Sequence, residues 1–221
     1  MVESIRGYIK SYIENLKSDL DNAPIEDIEK LIILIRDCYE SNKQIFIMGN
    51  GGSASIASHM ACDLSKTILK RFYNDEKRLR VISLTDNVPL MTAISNDLTY
   101  DEVFSQQLRG LLNAGDLVII ITGSGNSRNV IRAAQYAKEK GAMVFGILGF
   151  DGGEMLHLAD EYVHFKTNHY GRIEDFHLMV NHIVTFYFAQ FKNQKIEGSN
   201  KIISEDAQSI YMKPGSKDNM S

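Results

Sequence analysis

Apolar residues recur along the chain at two different periods, and the change from one to the other falls at Gln44. Before it, Ile5, Tyr8, Ile9, Tyr12, Ile13 and Leu16 return every third or fourth residue, which predicts a helix over 3–20. Ile28, Leu31, Ile32, Ile35 and Cys38 do the same and predict a second helix from about Ile25 to Glu40, started near Asn22-Ala23-Pro24. From Gln44 onward, short unbroken apolar runs rich in β-branched residues appear at Ile45–Met48, Arg80–Leu84, Leu117–Ile121, Met143–Leu148 and Tyr162–Phe165. Such runs are expected of strands covered on both faces. Helical patterns separate them over Ser53–Leu69, Asn87–Asn96, Asp101–Leu112, Ser127–Lys140 and, shorter, Glu154–Ala159, and a final helix is predicted from about Arg172 to Phe191. Strand and helix in alternation predict an α/β fold, a doubly wound five-stranded parallel sheet flanked by helices. The two N-terminal helices precede the first strand and are not needed to build the sheet, so they either cover it or form an oligomer contact.

With 221 residues, 44% of them apolar, the chain has enough material for one well-buried core and is short for two. The reading is one domain over residues 1–192 and a polar extension over 193–221, in which Ile202, Ile203, Ile210 and Tyr211 are the apolar positions available for docking. A net charge of −4, with Asp75 and Glu76 interrupting the basic run from Lys70 to Arg80, argues against a nucleic-acid partner. The N-terminus, Met1 to Lys17, is amphipathic and contains acids, and lacks both the apolar run expected of a signal peptide and the length of a membrane span. Cys38 and Cys62 lie in helical patterns without paired spacing, which predicts buried thiols and a cytoplasmic protein.

Chemistry enters where two of the apolar runs break into small residues. Ile45-Phe46-Ile47-Met48 leads into Gly49-Asn50-Gly51-Gly52-Ser53-Ala54-Ser55, and Ile121 into Thr122-Gly123-Ser124-Gly125-Asn126-Ser127. A strand that ends in glycines and hydroxyls before a helix leaves backbone N–H groups and the positive helix end facing one point, which suits a phosphate. Just beyond the first loop, His59 and Asp63 stand four residues apart and share a helix face, so an imidazole and a carboxylate point the same way.

Gly49-Asn50-Gly51-Gly52-Ser53-Ala54, Asn96-Asp97 and Thr122-Gly123-Ser124-Gly125-Asn126-Ser127 together resemble the sugar isomerase (SIS) domain family, in its phosphoheptose isomerase branch. The resemblance extends from the N-terminal helices to about Phe191. It implies conversion of sedoheptulose 7-phosphate to glycero-manno-heptose 7-phosphate for a surface glycan, by a homotetramer with shared active sites. It assigns the phosphate to Thr122, Gly123, Ser124 and Ser127 and the sugar to Asn50, Gly51, Gly52, Ser53, Ser55, Asn96, Asp97 and Glu174. Family members carry a His, a Glu four residues later, and a Gln and a His eight residues apart on the last helix, and several bind zinc there.

The matching positions are His59, Asp63, Glu174 and His182, with Asp63 and His182 expected as the catalytic pair and all four as metal ligands. This chain departs from the pattern at Asp63, one methylene shorter than Glu, at Glu174, which adds a charge to Gln, and at Thr67, where the family has arginine. Two histidines and two carboxylates suit a divalent cation, most simply zinc, and are costly to bury without one. On one continuous helix Glu174 and His182 would be separated by roughly 12 Å of rise. Either the last helix starts after Glu174, then, or two subunits share the site. Arg172 and Lys66 are further candidates for anion contact, and His177 reads as a hydrogen-bonded core or interface histidine. A second reading is a non-catalytic SIS module that senses a phosphosugar or bridges a partner protein; the retained histidine pair and carboxylates argue against it.

Overall fold

A computed structural model describes residues 4–69 and 76–199, with side chains followed as far as Lys192. Two helices, α1 (Ile5–Leu20) and α2 (Ile25–Ser41), lead into β1 (Gln44–Gly49) and α3 (Gly52–Cys62). The order then runs β2 (Arg80–Ser83), α4 (Val88–Asp97), α5 (Ser105–Leu111), β3 (Leu117–Thr122), α6 (Arg128–Glu139), β4 (Met143–Leu148), α7 (Met155–Leu158), β5 (Glu161–His164) and α8 (Tyr170–Ser199). All five strands are parallel, in the order β2-β1-β3-β4-β5.

Alternation along the central strands divides the core between the two faces of the sheet. Ile45, Ile47, Ile119, Ile121, Phe145 and Ile147 pack with α2, α3 and α8, whereas Phe46, Met48, Val118, Ile120, Val144 and Leu148 pack with α5, α6 and α7. The strand order reverses between β1 and β3, whose carboxyl ends carry the two glycine loops, and that reversal opens the crevice in which such sheets bind ligands.

Several expectations are corrected. β2 is an edge strand with Arg80 and Ile82 exposed, because topology rather than composition decides which strand lies outermost. The helix expected over Ser53–Leu69 is α-helical only to Cys62 and continues as a π-helical turn over Asp63–Thr67. The pattern over Asp101–Leu112 divides into a 3₁₀ turn at Tyr100–Glu102 and α5. The last helix runs past Phe191, with Lys192 buried in it. Cys38 is buried, and burial pushes its thiol up to about 12, but Cys62 is exposed. The first part of the Lys70–Arg80 run and the apolar positions beyond 200 lie outside the described residues. Among the described residues, no helix is long and apolar enough to cross a membrane.

Candidate active site

Gly51 makes the first loop possible. It precedes α3 with φ at 56°, a left-handed conformation that glycine adopts without penalty, and the start of α3 receives no side-chain cap. Ser127 likewise precedes α6 without a side-chain cap, so both helix starts keep donors for an anion. The second loop is braced from within: Gly125 N–H donates to Thr122 Oγ1 at 3.1 Å and Asn126 N–H to Ser124 Oγ at 3.3 Å. Gly125, with φ at 67°, lies directly against the Gly152 carbonyl, where no side chain fits. Thr122 is buried, Ser127 is half-buried and Ser124 is exposed.

The two loops are tied together. Asn50 and Asn129 exchange amide hydrogen bonds of 2.9 and 2.8 Å, and the Tyr100 hydroxyl donates to Asn50 Oδ1 at 2.8 Å. Asn50 therefore joins the start of α6 to the first loop. Ser53 is buried beneath the loop and Ser55 is exposed above it. Asn96 and Asp97 are exposed at the end of α4, with Asn96 Nδ2 donating to Asp97 Oδ1 at 2.9 Å.

His59 and Asp63, one turn apart on the helix that leaves the first loop, meet His182 from α8. One ligating atom from each lies within 4.8 Å of the others, and the His59 and His182 ring centroids are 5.3 Å apart. His59 Nε2 is 3.3 Å from Asp63 Oδ2. Two imidazole nitrogens and a carboxylate oxygen are donors that a borderline-soft divalent cation takes at about 2.0–2.2 Å, so the residues fit such an ion. The three side chains are exposed to half-buried, which leaves the cluster open to a small molecule.

Glu174 is not part of this group. α8 is continuous from Tyr170, so the alternative in which the helix begins after Glu174 is excluded. Its carboxylate lies against Gly52, where any Cβ would overlap it, so within one chain Glu174 belongs to the first loop rather than to the histidine cluster. Arg172, read as an anion contact, is already engaged: its Nε lies 2.6 Å from Asp19 and its Nη2 donates to Thr167 at 2.9 Å. His177 is fully buried, the core position expected of it, and neither ring nitrogen has a hydrogen bond of ordinary length and angle. Burial lowers its pKa to about 4, and the Leu148 main chain offsets this only in part.

Asn129, Tyr100 and Asn181 escaped the sequence reading. Asn181, fully buried, donates to Asp63 Oδ2 at 3.1 Å. The available signal was a polar side chain inside the apolar stretch Met179-Val180-Asn181-His182-Ile183-Val184, which on a packed helix needs a partner.

The SIS domain family matches residues 8–149. The phosphoheptose isomerase of Sulfurimonas denitrificans is 36% identical over 188 residues, covering 83% of this chain and 93% of its own. That of Aneurinibacillus thermoaerophilus is 36% identical over 185 residues, covering 81% of this chain and 91% of its own. Among solved structures, the phosphoheptose isomerase of Neisseria gonorrhoeae superposes with a TM-score of 0.77 at 27% identity, over 85% of this chain and 100% of that one. The chain is thus a SIS-domain isomerase and belongs to the phosphoheptose isomerase family.

Proposed function

We propose that the protein interconverts sedoheptulose 7-phosphate and D-glycero-D-manno-heptose 7-phosphate, supplying heptose to a lipopolysaccharide, capsule or surface-layer glycan. One observation carries the reading: the His59, Asp63 and His182 cluster stands on the helix that springs from the first anion loop, seven residues and roughly 10 Å of rise from its start. A ligand whose phosphate lies at the loops and whose carbon chain runs along α3 would bring its carbon end to the cluster, as an open-chain sugar phosphate can.

In this reading Thr122, Gly123, Ser124 and Ser127 hold the phosphate with the start of α6. Asn50, Gly51, Gly52, Ser53 and Ser55 line the path of the carbon chain, where Glu174, Asn96 and Asp97 accept sugar hydroxyls. Asp63 removes the C1 proton as His182 protonates the C2 carbonyl oxygen, giving an enediol. Asp63 then returns the proton to C2 while the O1 hydroxyl gives its own to the imidazole, leaving an aldehyde at C1. When His182 is neutral, His59, Asp63 and His182 would instead hold a divalent cation, most simply zinc, which would take over from the His182 proton the stabilising of negative charge developing on the substrate oxygens. The free thiols Cys38 and Cys62 accord with a cytoplasmic location.

Purified full-length protein is expected to turn over sedoheptulose 7-phosphate, to lose that activity to a chelator, and to lose at least about a hundredfold in His182→Ala, the scale of one acid–base group. Binding of the sugar phosphate without conversion would overturn the reading.

A further inference from the structure

Asp63 is held at both oxygens. Thr67 Oγ1 donates to Oδ1 at 3.1 Å from the end of the π-helical turn, and Asn181 Nδ2 donates to Oδ2 at 3.1 Å from α8. Asn181 is fully buried, and its own carbonyl oxygen accepts from Thr185 Oγ1 at 3.3 Å, with Thr185 buried as well. The amide orientation follows from the chemistry, since a carboxylate cannot donate and a hydroxyl can. Asp63 itself keeps 15% of its side chain exposed and lies with one ligating atom within 4.8 Å of those of His59 and His182.

We infer that Asn181 is a positioning residue, which with Thr67 fixes the carboxylate plane of Asp63 so that this short acid presents one edge of Oδ2 to the histidine cluster. The inference rests on the isomerase reading for its kinetic arm, but not for its binding arm. The physical need is plain. The Asp63 carboxylate turns about two side-chain bonds, and a displacement of about 1 Å at a catalytic group costs on the order of a hundredfold. One donor per oxygen removes that freedom. The arrangement also unites features that are separate in the sequence: the shortened acid, the threonine one turn on, the π-helical turn joining them, and the polar residue beside His182. Because Asn181 has no exposed surface, it acts through Asp63 and does not touch the substrate.

The test is a double-mutant cycle with Asn181→Leu, an apolar replacement of similar size, and Asp63→Asn. Asn181→Leu is expected to lower kcat about tenfold to a hundredfold with KM changed less than about threefold, in the range seen when partners of metal-ligating and catalytic groups are removed. In the Asp63→Asn background the same replacement should change kcat by less than about twofold, because the group it acts through is gone. A second arm reads cobalt(II) alone, by its visible absorption and by competition with a chelator. Asn181→Leu should weaken cobalt about tenfold and alter its spectrum in the Asp63 protein, and do neither in Asp63→Asn. Thr185→Val, which removes only the outer link, should give the same pattern at about threefold, and it guards against an Asn181 variant that fails to fold.

Equal losses from Asn181→Leu with and without Asp63, or an unchanged cobalt spectrum, would overturn the inference. If the wild-type protein binds cobalt but turns over no heptose phosphate, the cobalt cycle still decides for or against Asn181 while the substrate assignment fails. If wild type does neither, both fall.

Discussion

Gly52 and Glu174 are the pair in which a single methyl group separates stability from function. Gly52 occupies the first position of α3 with ordinary helical backbone, so alanine meets no backbone strain there. Its new methyl would displace only the end of the Glu174 side chain. Gly52→Ala should therefore unfold at the same or a higher temperature while raising KM for the sugar phosphate about tenfold, the scale of one charge-assisted hydrogen bond. His177 gives a pH signature of the opposite kind. Its folded pKa, about 4, lies below the ordinary 6.5, so between those values the unfolded chain binds the extra proton. Stability from this residue is complete above about pH 6.5 and is lost as pH falls toward 4, with a limiting slope of about 1.4 kcal/mol per pH unit. His177→Leu should flatten that acid limb in urea unfolding at pH 5 and pH 7, and should not weaken the fold at pH 7, because the nitrogens it removes lack ordinary partners. At this scale the two glycine loops and the pairing of His59 with Asp63 were legible, since glycine-rich turns and helical spacing are local signals, whereas His182 entered only through the family resemblance. Where Glu174 points and what holds Asp63 were not, because both depend on α8 crossing α3 more than a hundred residues later.

Elements were legible where one period persists and obscure where two helical geometries share it. All five strands stand within one or two residues of their apolar runs. The π-helical turn at Asp63–Thr67 was invisible because its apolar Leu64, and Ile68 just after it, continue the stripe set by Met60 and Ala61. The exposure of β2 was equally hidden, for neighbours in the sheet are chosen by crossovers and not by the strand itself. The loops after β1 and β3 behave as one element through the reciprocal amide bonds of Asn50 and Asn129. Asn129→Ala removes both bonds and the bond from Val130 N–H, so it should cost about 1–3 kcal/mol in unfolding free energy and weaken inorganic phosphate in a calorimetric titration about tenfold. An unaltered phosphate affinity would mean that the second loop binds its anion independently of the first.

As a whole molecule, the chain leaves much apolar surface uncovered. Ile5, Ile9 and Ile13 on α1, Val88 and Leu90 on α4, and Ile183 and Tyr187 on α8 are all exposed, and neither α1 nor α4 has a buried residue. α1 is fastened to α8 largely by polar contacts: Tyr12 donates to Asp175 at 2.5 Å, which pushes the phenol up to about 12, and Arg172 pairs with Asp19. Apolar faces of this extent mark association surfaces, and we propose the homotetramer implied by the family resemblance as their cover. Light scattering should give a mass near four times the 24.9 kDa chain, and Ile9→Lys with Ile13→Lys should lower it. A monomeric wild type would remove the shared site. A further consequence concerns synthesis. The match to the general SIS domain ends at residue 149, before α8, whose Phe176, Val180, Val184 and Phe188 seal one face of the sheet. Chain order therefore completes both glycine loops before α8 is made, and until that helix docks, Ile45, Ile47, Ile119, Ile121 and Ile147 on its face of the sheet lack part of their cover.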